Sequence, residues 1–156
     1  MSGIGNLRIV SKEPERNGQF WYSAYERSPE FVMPWWHDQY GSAPLVHEHW
    51  VSINFDDREV ARCKYDLSNA YVHPVLGAFP YGQLDILAFE VAVSMRRKGI
   101  GRASIEALRA LYPLPRLTAL NDSCESRKFW DGIGWIRYES PHAFMRNIDR
   151  VTYSEV

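Results

Sequence analysis

The sequence predicts an α/β or α+β sheet domain, and three observations predict it. "LDILAFEVAV", Leu84 to Val93, is a near-continuous apolar run of the kind that forms a central strand buried on both faces. It leads into a helical pattern from about Gly99 to Leu111, with Ile100, Ala103, Ala107, Leu108 and Leu111 as the apolar stripe. Strand-like segments stand before, between and after the helical ones, which is how a sheet with packed helices reads in sequence.

The elements follow in order. "NLRIVS" reads as a first short strand. "NGQFWYSAYERSPEFVMPWWHDQYGS" is aromatic and broken by Pro29 and Pro34, and predicts one or two short helices, with Ser28 capping before Pro29. "HEHWVSINFDD" alternates, placing Val51, Ile53 and Phe55 on one face, and "REVARCKYDLS" returns from it across a short turn as a hairpin. "NAYVHPVLGAFPYGQ", with two prolines and two glycines, reads as a loop. After the central strand and helix, Pro113 and Pro115 stop the helix. "RLTAL" is the next strand, "SCESRKFWDGI" a short helix ending at Gly134, and "WIRYES" with "HAFMRNI" a closing hairpin around Pro141.

At 156 residues the chain suits one compact domain, 1–156, without repeat or linker. The apolar fraction of 46% and charged fraction of 24% are those of an ordinary globular protein. A net charge of -1 offers no general attraction for nucleic acid or an acidic membrane, so any basic function must be local. The two cysteines, Cys63 and Cys124, do not make a disulfide framework. The start "MSGIGNLRIV" lacks the pattern of a signal peptide, and no apolar stretch reaches the ~18 residues of a membrane span. The expectation is a cytoplasmic protein with no membrane partner.

The local basic function lies in "VAVSMRRKGIGR", Val91 to Arg102. A helix N-terminus presents unpaired N–H groups and a partial positive charge, and glycines at its entrance let the backbone close on an anion. Arg96, Arg97, Lys98 and Arg102 add fixed charge around it. A Walker A loop needs Lys and Ser or Thr after its second glycine, whereas Gly101 is followed by Arg102 and Ala103. "GIGRAS" also lacks the third glycine of a dinucleotide fingerprint. A solvated basic turn remains the plain alternative.

The spacing of "RRKGIG", Arg96 to Gly101, resembles the R/Q-x-x-G-x-G/A signature of the GNAT superfamily of acyl-CoA-dependent N-acetyltransferases. "FEVAV" resembles that family's central strand, with Val91 five residues before Arg96. "LTALNDSCESRKFWDGIGW" resembles its later motif through Asn121, Phe129, Trp130, Gly134 and Trp135. The resemblance covers about residues 84 to 140. It implies a mixed, mostly antiparallel central sheet with helices on both faces and a splay between two parallel strands. It further implies acetyl-CoA (coenzyme A) as cofactor. The backbone of Val91, Ala92 and Val93 would pair with the pantetheine arm. The amides of Arg97, Lys98, Gly99, Ile100, Gly101 and Arg102 would hold the pyrophosphate, and Asn121 would sit near the pantetheine or the amine.

In such an enzyme an amine attacks the thioester directly in a ternary complex, which calls for a base, an oxyanion donor near Val91 to Val93 and an acid for the thiolate. Asp85 and Glu90 are the acidic residues of the central strand, on opposite faces by parity, and both are candidate bases beside a water chain. By ungapped counting Asp85 aligns with the glutamate base of histone-modifying members. The acid departs from the pattern: Trp130 stands where many members have Tyr, and an indole is no proton donor at neutral pH. Trp130 then packs against the pantetheine or the core, and Cys124, Ser123 and Tyr138 are substitutes. A buried, inert thiol is the simpler expectation for Cys124.

His47 and His49, with His37 and His73, lack an acidic or Cys partner at metal-site spacing, so no metal is expected. Trp35 and Trp36 either line an acceptor pocket or belong to the core. The acceptor expected is a primary amine on a small molecule. Alternatives are a protein, peptide or aminoacyl-tRNA amine, or a non-catalytic acyl-CoA-binding regulatory module. The charge argues against nucleic acid, and the resemblance admits a homodimer.

Overall fold

The computed structural model describes residues 6–37, 39–40, 48–121, 124–139 and 151–156. A seven-stranded sheet runs in the order β1-β5-β6-β9-β10-β12-β11. Its strands are β1 (Leu7–Lys12), β5 (Glu48–Phe55), β6 (Arg58–Ser68), β9 (Gln83–Val91), β10 (Arg116–Asn121), β11 (Ile136–Tyr138) and β12 (Val151–Ser154). β2 (Glu15–Asn17), β3 (Phe20–Tyr22) and β4 (Gln39–Tyr40) form a small sheet of their own, and β7 (Tyr71–His73) pairs with β8 (Gly77–Phe79). The helices are α1 (Ile100–Leu111) and α2 (Cys124–Gly132). β9 and β10 are parallel; β1–β5, β10–β12 and β11–β12 are antiparallel. The parallel ladder runs from Gln83↔Arg116 to Ile86↔Ala119, and β9 continues beyond it to Val91.

The chain divides into two compact units, Met1–Tyr65 with Ala88–Leu111, and Asp66–Leu87 with Tyr112–Val156, so that β6 and β9 each contribute to both. In the first unit, Asp56 and Asp57 both adopt positive φ, 48° and 63°, and close the β5–β6 hairpin with the left-handed pair that matches strand twist. β5 buries Trp50, Val51, Ser52 and Ile53, so both its faces are covered and its alternation is weaker than expected. Tyr25, Phe31, Trp36, Trp50, Ala88 and Ala92 form one buried cluster. The tyrosine hydroxyl of Tyr25 bonds the carbonyls of Val51 and Cys63, at 2.8 and 3.1 Å.

α1 buries Ile100, Ser104, Ile105 and Leu108, a stripe rotated from the expected one, and Leu111 is exposed. Ser104, a polar residue outside the expected apolar stripe, is buried because its hydroxyl donates locally to Ile100 O at 2.7 Å.

Among its described residues the aromatic front segment holds no α-helix. It folds into β2–β4 and a single 3₁₀ turn, Pro34–Trp36. Ser28 does cap, but it caps a turn: its Oγ accepts from Glu30 N and its carbonyl from Phe31 N. Two prolines five positions apart leave too little chain for a helix between them.

In the second unit, the expected loop over residues 69–83 contains the β7–β8 hairpin, because Pro74 and Pro80 flank its strands instead of interrupting them. His73 Nδ1 shapes the hairpin turn by accepting from Val75 N and Leu76 N, both at 3.0 Å. α2 ends in a paired cap: Gly134 N bonds Asp131 O, Trp135 N bonds Trp130 O, and Gly134 takes φ +83°. β11 pairs with β12, Val151–Ser154, which lies between β11 and β10. The strand expected at "HAFMRNI" lies outside the described residues.

Candidate functional site

β9 delivers the chain to the basic stretch. A 3₁₀ turn, Val93–Met95, follows it, then Arg97 and Gly99 at φ +60° and +81°, then α1. The Gly99 carbonyl accepts the first helical bond, from Ala103 N at 3.1 Å. The amides of Ile100, Gly101 and Arg102 therefore precede any intrahelical acceptor. No acidic side chain sits in the first turn to compete with an anion. The side chains of Arg97, Lys98 and Arg102 are exposed around it. The chemistry of this donor set fits a pyrophosphate.

Two expectations for this stretch change. Arg96 is exposed like the other cations but already paired: its Nη2 lies 3.0 Å from Glu90 Oε2 and its Nε 3.1 Å from Val91 O. Of the three residues assigned to a pantetheine arm, Ala92 and Val93 already have their amides committed, to Val60 O at 2.8 Å and Glu30 O at 2.9 Å. The Ala92 carbonyl is also taken, by Met95 N at 2.9 Å. Strand alternation turns Val91 N–H opposite to that of Ala92, so Val91 is the residue whose amide faces away from β6.

Glu90 is the knot of this unit. It is 5% exposed and accepts from Val32 N at 2.9 Å, Met33 N at 3.1 Å, Trp36 Nε1 at 2.7 Å and Arg96 Nη2 at 3.0 Å. Four donors fill the lone pairs of a carboxylate, which suits an anchor and leaves no site for a substrate proton. Trp36 is fully buried, settling its place in the core. A second tie runs beside the first: Ser94 donates from N and Oγ to Glu30 Oε2, at 2.9 and 2.6 Å, and Arg58 Nη2 reaches Ser94 Oγ at 2.7 Å. Glu30 and Ser94 were not legible as partners because 64 positions separate them.

Asp85 belongs to the second unit and is differently placed. Its Oδ1 accepts from Thr118 Oγ1 at 2.7 Å, and Thr118 Oγ1 in turn accepts from Gln83 Nε2 at 2.7 Å. Tyr71 OH donates to Gln83 Oε1. Burial pushes the Asp85 carboxyl up to about 6, against the pull of the Thr118 bond and with a further push from nearby Asp66. A carboxylate tuned this close to neutrality is what general-base chemistry uses. Gln83 and Thr118 were missed in the sequence, although their signal was there: Gln83 shares the parity of Asp85, and "RLTAL" reads as a neighbouring strand.

The remaining candidates separate. Cys124 is exposed at the first residue of α2, contrary to the expected buried thiol; the buried cysteine is Cys63, whose thiol burial pushes well up. Trp130 is 3% exposed, with its ring 4.6 Å from that of Trp135 in a stacked pair, so it serves the core. Tyr138 lies 6.0 Å from the Arg116 guanidinium. Ser123, His47 and the side chain of Asn121 lie outside the described residues. His49 stacks on Tyr65 at 5.1 Å, and among the described residues no three His, Cys, Asp or Glu side chains gather as a metal site. No helix among them is long and apolar enough to cross a membrane.

No protein-family model and no curated protein matches the sequence. Solved structures do match. An acetyltransferase from Thermus thermophilus aligns at 12% identity and a TM-score of 0.50, over 70% of this chain and 63% of that one. The Bacillus subtilis N-acetyltransferase YlbP, in complex with coenzyme A, aligns at 18% identity and 0.51, over 69% of this chain and 70% of that one. The GNAT domain of S. lividans PAT aligns at 17% identity and 0.47, over 70% of this chain and 60% of that one. The chain has a GNAT-like fold. At these identities the likeness is one of architecture: a mixed seven-stranded sheet with the parallel pair β9–β10 at its centre.

Proposed function

We propose that this chain is an acetyl-CoA-dependent N-acetyltransferase acting on the primary amine of a small molecule, by direct attack in a ternary complex. The observation that carries the reading is the junction of β9 with α1: a Gly99 N-cap, a first turn without acidic residues, and exposed cations at Arg97, Lys98 and Arg102. Those amides and cations would hold the pyrophosphate of coenzyme A, and the backbone edge at Val91 would hold the pantetheine arm. Acetyl-CoA, when bound, supplies the acyl group as an activated thioester.

Asp85 would take the proton of the acceptor ammonium, directly or through an intervening group, and Val91 N–H would receive developing charge on the acyl oxygen. Glu90 and Arg96 would shape the turn that presents these amides. The neighbouring carboxylates of Asp66 and Asp85 suit an acceptor that arrives as a cation. A net charge of -1 weighs against an aminoacyl-tRNA acceptor.

Calorimetry with coenzyme A, followed by thiol release from acetyl-CoA across small amines, peptides and aminoacyl-tRNA, tests the reading. Binding with turnover on a small amine is expected. Binding without turnover on any acceptor would turn the chain into an acyl-CoA-binding module, and absence of binding would remove the reading altogether.

A further inference from the structure

We infer that Tyr71, Gln83 and Thr118 form a positioning chain for Asp85, which holds one carboxylate oxygen and leaves the other as the proton-accepting atom. The inference rests on the acetyltransferase reading for its use, though not for its geometry. The chain begins at Tyr71 on β7, which is 40% exposed, and ends at Asp85 on β9. Its two middle members are shut away from water: Gln83 is 7% exposed and Thr118 fully buried. Thr118 stands directly across from Asp85 in the parallel ladder, and Gln83 is its diagonal neighbour.

Each link has one direction. The phenol of Tyr71 has one proton and gives it to Gln83 Oε1. With Oε1 toward Tyr71, Nε2 faces Thr118 and donates to Thr118 Oγ1, the arrangement that an ionised Asp85, which can only accept, requires of the chain. With that lone pair occupied, the single hydroxyl proton of Thr118 goes to Asp85 Oδ1. Every donor therefore points toward the carboxylate. If the amide of Gln83 were turned over, Thr118 would donate to it and Asp85 would lose its donor.

The chain is a fixed line of dipoles and not a proton wire, since the Gln83 amide accepts on oxygen and donates from nitrogen without passing a proton through. Its effect is to favour the ionised carboxylate and to fix its plane. Asp85 Oδ2 receives no donor from the described residues. The other groups bearing on Asp85 are Asp66 on β6, which opposes its ionisation, and Tyr71 itself, whose own ionisation is discouraged by burial and by Asp85. Thr118 thus offsets part of what burial and Asp66 impose.

The test is a carbon-13 NMR titration of the Asp85 carboxyl in the intact protein, without substrate. Thr118→Val should move the midpoint upward by roughly one to two pH units, the size of a hydrogen bond to a charged group. Thr118→Ser, which keeps the hydroxyl, should bring it back. Tyr71→Phe, at an exposed position that leaves the fold intact, should give a smaller upward shift by freeing the Gln83 amide to turn. The acid limb of kcat/KM should follow the same order. An unmoved midpoint in folded Thr118→Val, or in Tyr71→Phe should the valine variant not fold, overturns the chain. Shifted midpoints in a protein that transfers no acetyl group would leave the chain standing and remove the acetyltransferase reading instead.

Discussion

Trp36 donates its indole N–H to Glu90 Oε1 over 2.7 Å, joining the aromatic front segment to the end of the central strand. Val32 N, Met33 N and Arg96 complete the set of donors. Glu90→Gln would place an amide NH₂ against donors that now meet oxygen. We expect a loss of stability on the order of 2–4 kcal/mol, because buried donors are left without acceptors, read as a lowered urea midpoint. The acid limb of the pH–rate profile should stay where it is if Asp85 is the base, as proposed. A collapse of turnover at unchanged stability would instead make Glu90 the base.

Asp85→Asn should separate activity from stability. The folded carboxyl is raised to about 6, above its ordinary range, so the folded state binds its proton more tightly than the unfolded chain does. The corresponding stability is fully present below about pH 4 and is lost as pH rises through about 6. Asn carries no charge and escapes that loss. At pH 8 the variant should be more stable than the wild type by on the order of 2 kcal/mol, with the difference vanishing near pH 4. Its kcat/KM should fall by roughly a hundredfold or more, and the limb near pH 6 should disappear. Urea melts at the two pH values, beside a pH–rate profile, check both halves; equal stability at pH 8 would contradict the cause assigned to the shift.

The sheet and α1 were legible because their signals are local. β9 announced itself by apolar content, and α1 by a glycine entrance and proline exit. The front segment was not legible, because Ser28 before Pro29 reads as a helix start while the group that organises the segment, Glu90, lies 54 positions beyond Trp36. The β7–β8 hairpin was hidden for a related reason: Pro74 and Pro80 mark the strand ends and do not break them. In the candidate site, spacing identified the helix mouth but could not tell which cations are already paired, and Arg96 pairs with Glu90. Parity put Asp85 and Glu90 on opposite faces; only the packing distinguished a tuned carboxyl from a saturated anchor.

Gly101→Glu tests the anion site with little cost to the fold. Gly101 lies in the first turn of α1 and does not adopt positive φ, so a side chain is conformationally acceptable there. A carboxylate in a first turn favours the helix by roughly 0.3–1 kcal/mol. The same carboxylate would repel a pyrophosphate. Melting temperature should hold or rise while coenzyme A affinity drops at least about tenfold, for which about 1.4 kcal/mol of repulsion is enough. Calorimetry at low and high salt gives the comparison, and the wild-type affinity should be the more salt-sensitive of the two. Undiminished affinity would place the phosphates elsewhere.

Gly82→Ala should be costly, and the reason bears on Asp85. Gly82 joins the β7–β8 hairpin to β9 at φ +88°, in the region that disfavours a side chain by roughly 1–2 kcal/mol. A Cβ there would also come within 2.3 Å of the Ser68 carbonyl oxygen, a backbone atom that cannot step aside without moving the end of β6. Gly82 N bonds Phe79 O and Gly82 O accepts from Arg116 N, so the strain would pass to the hairpin and to β10 together. Those two elements carry Tyr71 and Thr118. The expected result is a loss of about 2–4 kcal/mol, as for other substitutions that force special backbone geometry. A folded remnant at low temperature should also show a raised Asp85 midpoint, because a displaced Thr118 no longer donates well. Wild-type stability in this variant would mean that the backbone at Ser68 relaxes freely. The close approach of Gly82 would then have no part in setting the site.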